Sequence, residues 1–270
     1  NDAAVVVPTP IGDDFAPETV STALSNGWCW QIPLTNRYGN GYVYSSDFID
    51  ADAAETELRV FLGLADSDVE ARHLKMRVGQ LERHWDHNCL ALGLSQGFIE
   101  PLEATALLLV QVAIEIFIAK YEDGEFTARH QDEFNRLISD RFERVRDYIV
   151  AHYKLNTRDD SDYWRANRDN MELSGSLRHI LDAWYRRDDL GAEIQRQNVQ
   201  SHFTNLSWHC LLAGYGAFPP LAENQPGGGD PYKEKDVSGF LRGCTLNFDS
   251  LRDNLARHRS PATDKQQARF

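Results

Sequence analysis

The sequence predicts an α+β fold, and three observations carry the prediction. Up to about residue 95, apolar residues come in short runs bounded by Gly, Pro and Asn, the pattern of strands and turns. Beyond that point they recur at helical spacing. This is plainest over residues 129–153, where Phe134, Leu137, Ile138, Phe142, Val145, Tyr148 and Ile149 share one face. The two patterns are segregated along the chain rather than alternating, which separates α+β from α/β. The expected division is therefore a strand-rich part, 1–95, and a mainly helical part, 96–270, whose last residues, 259–270, read as a frayed, disordered tail.

The elements follow in order. Residues 3–7 read as a strand closed by Pro8 and Pro10, and a buried strand this early points to chain upstream of it. Residues 12–25 are polar and turn-rich. Residues 28–33 and 41–45 read as strands joined by a turn at Gly39, with Tyr42 and Tyr44 in alternation. Residues 51–64 form a helix with Leu58, Phe61 and Leu62 on its apolar face. Residues 73–78 and 80–85 read as two strands across a Gly79 turn, and 89–93 as a short apolar strand. A small-residue loop, 94–99, leads to Pro101, which suits the first turn of a helix because its missing N–H costs nothing there. That helix runs to about Tyr121. Helices are also expected over 129–153, 160–167, 177–187, 205–212 and 248–258, with a glycine-rich loop at 222–232.

Composition excludes several classes. The net charge of −13 argues against a nucleic-acid partner, which needs clustered cations to release counterions. The four cysteines, Cys29, Cys89, Cys210 and Cys244, form no C-x-x-C pair. They read as isolated thiols of a reducing compartment, which points to the cytoplasm and away from a disulfide framework or a zinc site. The most apolar run, 104–119, is short for a bilayer and contains Gln111 and Glu115, so it reads as a buried helix, and no membrane partner is expected. The N-terminal residues lack the basic region of a signal peptide. His84 and His87, three apart on an expected strand, would face opposite ways, so no metal site is expected. Ser95 lies in Gly93-Leu94-Ser95-Gln96-Gly97, the letters of a hydrolase elbow, but without a matching Asp and His pair.

The junction from Glu100 to Leu107 carries chemistry. The first turn of a helix has backbone N–H groups without partners, and its dipole favours negative charge. The small residues before it, Ser95, Gln96 and Gly97, would let a ligand approach the backbone. An anion or a flat cofactor therefore suits this place. Glu100 and Glu103 either cap the helix or supply a carboxylate for acid/base work.

Residues 88–107, NCLALGLSQGFIEPLEATAL, resemble almost residue for residue a motif of the flavin-dependent tryptophan halogenase family, N-C-x-A-x-G-x-S-x-G-F-x-E-P-L-E-x-T. Trp28-Cys29-Trp30-Gln31-Ile32-Pro33 is similar to the family's W-x-W-x-I-P. Trp85, Tyr163-Trp164-Arg165-Ala166-Asn167-Arg168 and Leu211–Gly216 fit as well, so the resemblance runs to about residue 220.

The resemblance implies the C-terminal part of a flavin-monooxygenase-like FAD/substrate domain followed by a mostly helical region. It implies FADH2-dependent chlorination or bromination of an indole or other electron-rich arene, with reduced FAD supplied by a separate flavin reductase. Oxygen would give a flavin hydroperoxide, and a bound halide ion would attack it to form hypohalous acid. By the same resemblance Glu103 is the active-site carboxylate, and the amides of Thr105 and Ala106 bind halide. Leu94 and Leu107 touch the flavin, and Trp28, Trp30 and Pro33 line the path that keeps substrate off the flavin.

The sequence departs from the family at Ala104, where many members have Ser, and at Ala106, where tryptophan-specific members have Gly. No G-x-G-x-x-G occurs, and no lysine sits in the family's catalytic-lysine context. This chain by itself would then lack both flavin and lysine, and is expected to be inactive alone. The stretch 195–203 offers Phe203 as a substrate contact but no glutamate for an amino-acid end, so free tryptophan is not favoured. A monooxygenase on the same scaffold and a non-catalytic remnant are the alternatives, and a homodimer is left open.

Overall fold

The strand-rich half is built on one antiparallel sheet. In the computed structural model, which describes residues 1–12, 17–198, 202–219 and 237–258, strands β1 (Ala3–Thr9), β2 (Val20–Leu24), β3 (Gly27–Pro33), β4 (Tyr38–Tyr44) and β5 (Arg72–Lys75) take the order β2-β3-β4-β1-β5. Every neighbouring pair is antiparallel. Strand alternation sorts the side chains into two faces. Val5, Val7, Cys29, Tyr42 and Tyr44 pack under helix α1 (Ala51–Phe61), through Ala54 and Leu58. On the other face Ala4, Trp28 and Val43, with Trp30 and Leu74, meet Leu102 and Tyr153 of the helical half. That second face brings the tryptophan strand to the halogenase-like segment.

Two close approaches explain two glycines. Gly41 stands opposite Trp30, and a Cβ there would lie 2.1 Å from the indole ring. Gly27, at a φ of +159, would place a Cβ 1.9 Å from the Val43 carbonyl oxygen.

β2 falls in a stretch whose sequence reads as turn. Of its five residues only Leu24 is buried, so it carries no apolar signal of its own and is held as an edge strand by pairing with β3. The expected hairpin at Gly79 does not form. Instead β6 (Gly79–Gln80) pairs with β9 (Gly97–Phe98), and β7 (Trp85–Asp86) pairs with β8 (Cys89–Leu90). The reason lies outside the segment. The buried Asn135 side chain accepts from the His84 and Trp85 amides at 2.7 and 2.8 Å and donates to Trp85 O at 2.8 Å. The chain at 84–85 is thus bonded to a side chain rather than to a β5 partner.

The second half is helical: α2 (Ala106–Asp123), α3 (Gln131–Lys154), α4 (Asp162–Asp169), α5 (Gly175–Arg186), α6 (Leu190–Arg196), α7 (Asn205–Gly214), α8 (Val237–Thr245) and α9 (Leu251–His258). The α3 stripe is its axis: Phe134, Ile138, Phe142, Val145, Tyr148 and Ile149 are all buried, and Leu177, Ile180, Ile194, Trp208 and Leu212 close on them. Ser161, Ser174, Asp189 and Thr204 start α4, α5, α6 and α7 as N-caps, each side chain accepting a first-turn amide. Helices α6 and α8 go beyond the sequence expectation. The expected 222–232 loop and 259–270 tail lie outside the described residues.

Two readings of the 101–123 stretch are corrected. The α-helix begins at Ala106, not at Pro101, because Glu103 (φ 70) and Ala104 (φ 53) are left-handed and break the helical run. And α2 is not buried. Only Leu109 and Ala113 of its residues are, while Leu107, Leu108, Ile114 and Ile118 are exposed. Its apolarity exceeds what α3 covers. Leu102–Asp123 is long and apolar enough, by length and composition, to cross a membrane, and is the single such stretch among the described residues.

Candidate functional site

The 88–107 segment reaches α2 through a sequence of tight turns. A 3-10 turn at Gly93–Ser95 is closed by Ser95, whose hydroxyl donates to Leu92 O at 2.8 Å and accepts from Leu92 N–H at 3.1 Å. Ser95 is a loop closure, not a poised nucleophile. Gly97 then passes so close to β6 that a Cβ would lie 2.7 Å from Gly79 O. A second 3-10 turn, Leu102–Ala104, holds the two left-handed residues. Each such non-glycine residue costs about 1–2 kcal/mol, a strain that persists only where the surroundings over-determine it.

The two carboxylates of this turn separate completely, and neither caps α2. Glu100 is buried. It accepts from Tyr153 Oη at 2.5 Å and from Asn1 Nδ2 at 2.7 Å, and Tyr163 Oη donates to Asn1 Oδ1 at 2.8 Å. Burial pushes the Glu100 carboxyl up and pushes the Tyr153 and Tyr163 phenols up with it. Glu103 is partly exposed, with Oε1 2.9 Å from His152 Nε2 on α3. His152 Nδ1 is 3.2 Å from Tyr215 Oη. Burial, reinforced by the Glu103 charge, raises both Tyr148 and Tyr215, so both stay protonated phenols.

Glu103 lies where cavities meet. One, of about 840 Å³, is walled by Trp28, Trp30, Leu102, Tyr153 and Trp164. A second, of about 800 Å³, is walled by Tyr148, His202, Phe203, Leu206 and Cys210. Glu103, Ala104, His152 and Tyr215 line both and form the partition. A third, about 220 Å³, runs along Gly93, Leu94, Gln96, Thr105, Ala106 and Leu107, and Thr105 also borders the second.

Each residue singled out from sequence can now be placed. Trp28 and Trp30 project from the same face of β3, with ring centroids 6.0 Å apart, and wall the first cavity. Pro33, at the end of β3, does not line it; Ile32 does. Phe203 stacks on Tyr148 at 3.6 Å and forms a wall of the second cavity. Thr105 is buried, and the first α-helical bond of α2 runs from Leu109 N–H to Thr105 O, leaving the amides of Ala106, Leu107 and Leu108 ahead of the ladder. Leu94 and Leu107 are each 83% exposed along the third cavity. His84 is buried against Phe142 while His87 sits at the surface beside Asp86, so the two do not converge.

Sequence reasoning missed His152, Tyr215, Tyr148 and His202. They come from α3, from the end of α7 and from the segment before it, and no spacing links them to Glu103. His202 is notable electrostatically: burial and the neighbouring Arg141, whose guanidinium lies 3.2 Å from its Nδ1, pull it down to about 4.

The residues present fit part of a flavin and halide site. Two exposed leucines beside unladdered helix-start amides suit an apolar ring edge and a small anion. At about 220 Å³ the third cavity is below the size usual for a whole ligand, so it does not enclose a dinucleotide.

Comparison with known proteins places these features in context. The family model described as "Tryptophan halogenase" matches residues 1–226. A 7-chloro-L-tryptophan 6-halogenase from Kutzneria sp. (strain 744), KtzR, is 34% identical over 223 residues, which is 80% of this chain and 42% of that protein. The crystal structure of the tryptophan 6-halogenase SttH from Streptomyces toxytricini superposes with a TM-score of 0.74 at 33% identity, covering 81% of this chain and 45% of that one. BrvH, a flavin-dependent halogenase from Brevundimonas sp. BAL3, gives 0.69 at 34% identity and covers 99% of this chain and 52% of its own. The chain thus spans about half the length of these relatives.

Proposed function

Because the chain belongs to the tryptophan halogenase family, we propose that it supplies the carboxylate and halide side of an FADH2-dependent halogenation site acting on an electron-rich arene. Dioxygen, reduced at FADH2 when the cofactor is bound, would supply the two-electron oxidation that turns halide into hypohalous acid, and a separate flavin reductase would deliver the reduced flavin. On this reading Leu94 and Leu107 offer apolar contact to the flavin ring. The amides at Thr105 and Ala106 hold the halide at the start of α2. Trp28 and Trp30 wall the path between flavin and substrate, and Glu103 orients the oxidant or takes the proton that leaves the arene carbon. The family's lysine would come from the part of the relatives' length that this chain does not span.

The observation that carries the reading is the position of Glu103. It stands on a strained turn, three residues before the first residue of α2, in the partition between two cavities large enough for an arene. The lining of the second cavity also bears on substrate class. Among the described residues Glu103 is its only carboxylate, and the rest is aromatic, aliphatic or histidine apart from Thr105, Ser207 and Cys210. A site of this composition offers no separate anion to a substrate ammonium group, which supports a neutral indole or phenol over a free amino acid.

The test is the full-length protein with reduced FAD, dioxygen, chloride or bromide, and indole. Glu103→Gln should lower halogenated product about 100-fold or more, the usual weight of a positioned acid/base group, with substrate binding retained. Unchanged halogenation by Glu103→Gln, or hydroxylated product without halogen from the unmodified protein, overturns the reading.

A further inference from the structure

We propose that His152, held by Tyr215, is a positioning residue for the Glu103 carboxylate: a Tyr215–His152–Glu103 chain that fixes one orientation of the carboxylate within the partition. The inference rests on the reading of Glu103 given above, but the contact itself can be tested without it.

Three observations support the chain. His152 Nε2 lies 2.9 Å from Glu103 Oε1. The same nitrogen is buried and, apart from this off-line approach, has no hydrogen-bond partner among the described residues. A buried ring nitrogen without another partner is costly, so the carboxylate is the one group there that offsets its desolvation. The ring is also immobilised, packing edge-on against Tyr148 and Tyr215 with centroids 5.4 and 5.8 Å away and interplanar angles of 79°.

The tautomer follows from the two ends. Tyr215 is a protonated phenol, raised by burial and by Glu103, so its hydroxyl can donate to Nδ1 at 3.2 Å. With Nδ1 accepting, the ring proton sits on Nε2, on the ring edge that approaches Glu103 Oε1 at 2.9 Å, and a small rotation of the carboxylate would bring the two into line. The opposite tautomer would set a lone pair against a carboxylate oxygen. The order of donors then runs from Tyr215 through His152 to Glu103, as in the outer partners that orient a ligating or catalytic group. The strained Glu103–Ala104 backbone needs such a restraint, because a side chain 35% exposed between two cavities has room for several rotamers.

The distinguishing experiment has two arms on the full-length protein. In the first, 15N NMR of labelled histidine, assigned with His152→Gln, reads the tautomer. Protonation on Nε2, with that resonance shifting in Glu103→Gln, is expected. Protonation on Nδ1, or no response to Glu103→Gln, overturns the chain whatever the enzyme does. In the second, His152→Leu should lower kcat for halogenation about 10–100-fold with KM within about twofold, the scale typical of outer-shell partners. His152→Gln, which keeps an N–H donor at the Nε2 position, should recover most of the loss and also serves if the leucine variant folds poorly. The Glu103→Gln/His152→Leu double variant should be no worse than Glu103→Gln alone, because a residue acting through another is non-additive with it. Additive losses, or a glutamine variant as impaired as the leucine variant, refute positioning. An unaffected Glu103→Gln enzyme refutes the proposed function, and the NMR arm still reads the contact.

Discussion

Replacing Asn135 with alanine tests how the halogenase-like segment is held. Asn135 is buried on α3 and its side chain makes three bonds with the 84–85 backbone at 2.7, 2.8 and 2.8 Å. The two Trp85 groups should cost at least the net value of a hydrogen bond each, ~1 kcal/mol. The buried His84 amide has no second partner among the described residues and should carry a larger desolvation penalty, about 1–3 kcal/mol. The total is about 3–5 kcal/mol, a large share of the ~5–15 kcal/mol typical of a folded domain. Urea unfolding followed by tryptophan fluorescence should show the midpoint falling by about 1–2.5 M with unchanged slope, taking m near 2–3 kcal/mol/M. A loss under about 1 kcal/mol would refute the claim that Asn135 anchors β7 and the segment after it.

Three further outcomes follow from single contacts. Gly41→Ala places a methyl 2.1 Å from the Trp30 ring and should cost about 1–3 kcal/mol while shifting tryptophan emission, and an unchanged spectrum and stability would show that Trp30 does not rest on Gly41. Tyr153→Phe removes the 2.5 Å bond to buried Glu100 and should cost about 1.5–3 kcal/mol in thermal or urea unfolding, against no change if Glu100 were satisfied elsewhere. His202, held down to about 4 from an ordinary 6.5, stays neutral in the folded protein while the unfolded chain takes up a proton as pH falls through that window. Stability should therefore be independent of this residue above about pH 6.5 and decline as pH falls toward 4, with His202→Gln flattening that slope in urea titrations at several pH values. An identical slope in both proteins would mean the ring titrates normally.

Much of the chain was legible in its sequence because local signals agreed with the fold. The α3 stripe became the axis of the helical core, and the Trp28–Pro33 strand formed as expected. Where reading failed, a long-range partner decided the outcome. β2 exists because β3 offers its backbone, and the Gly79 hairpin is lost because Asn135 takes the 84–85 amides. The helix expected from Pro101 starts later because Glu103 and Ala104 adopt left-handed conformations that no propensity favours.

The candidate site divides the same way. The linear sequence by itself determined family membership and pointed to the contiguous candidates for the site: the motif ending in Glu103, Thr105 and Ala106, and the paired tryptophans of one strand face. Only the tertiary structure decided that Glu100 is buried among tyrosines while Glu103 faces two cavities, and that His152 and Tyr215 stand behind it. The physical reason is range. Periodicity and turn chemistry report interactions within a few residues, whereas a carboxylate's burial and partners depend on side chains 49 and 112 positions away that meet it only after the sheet and α3 have packed.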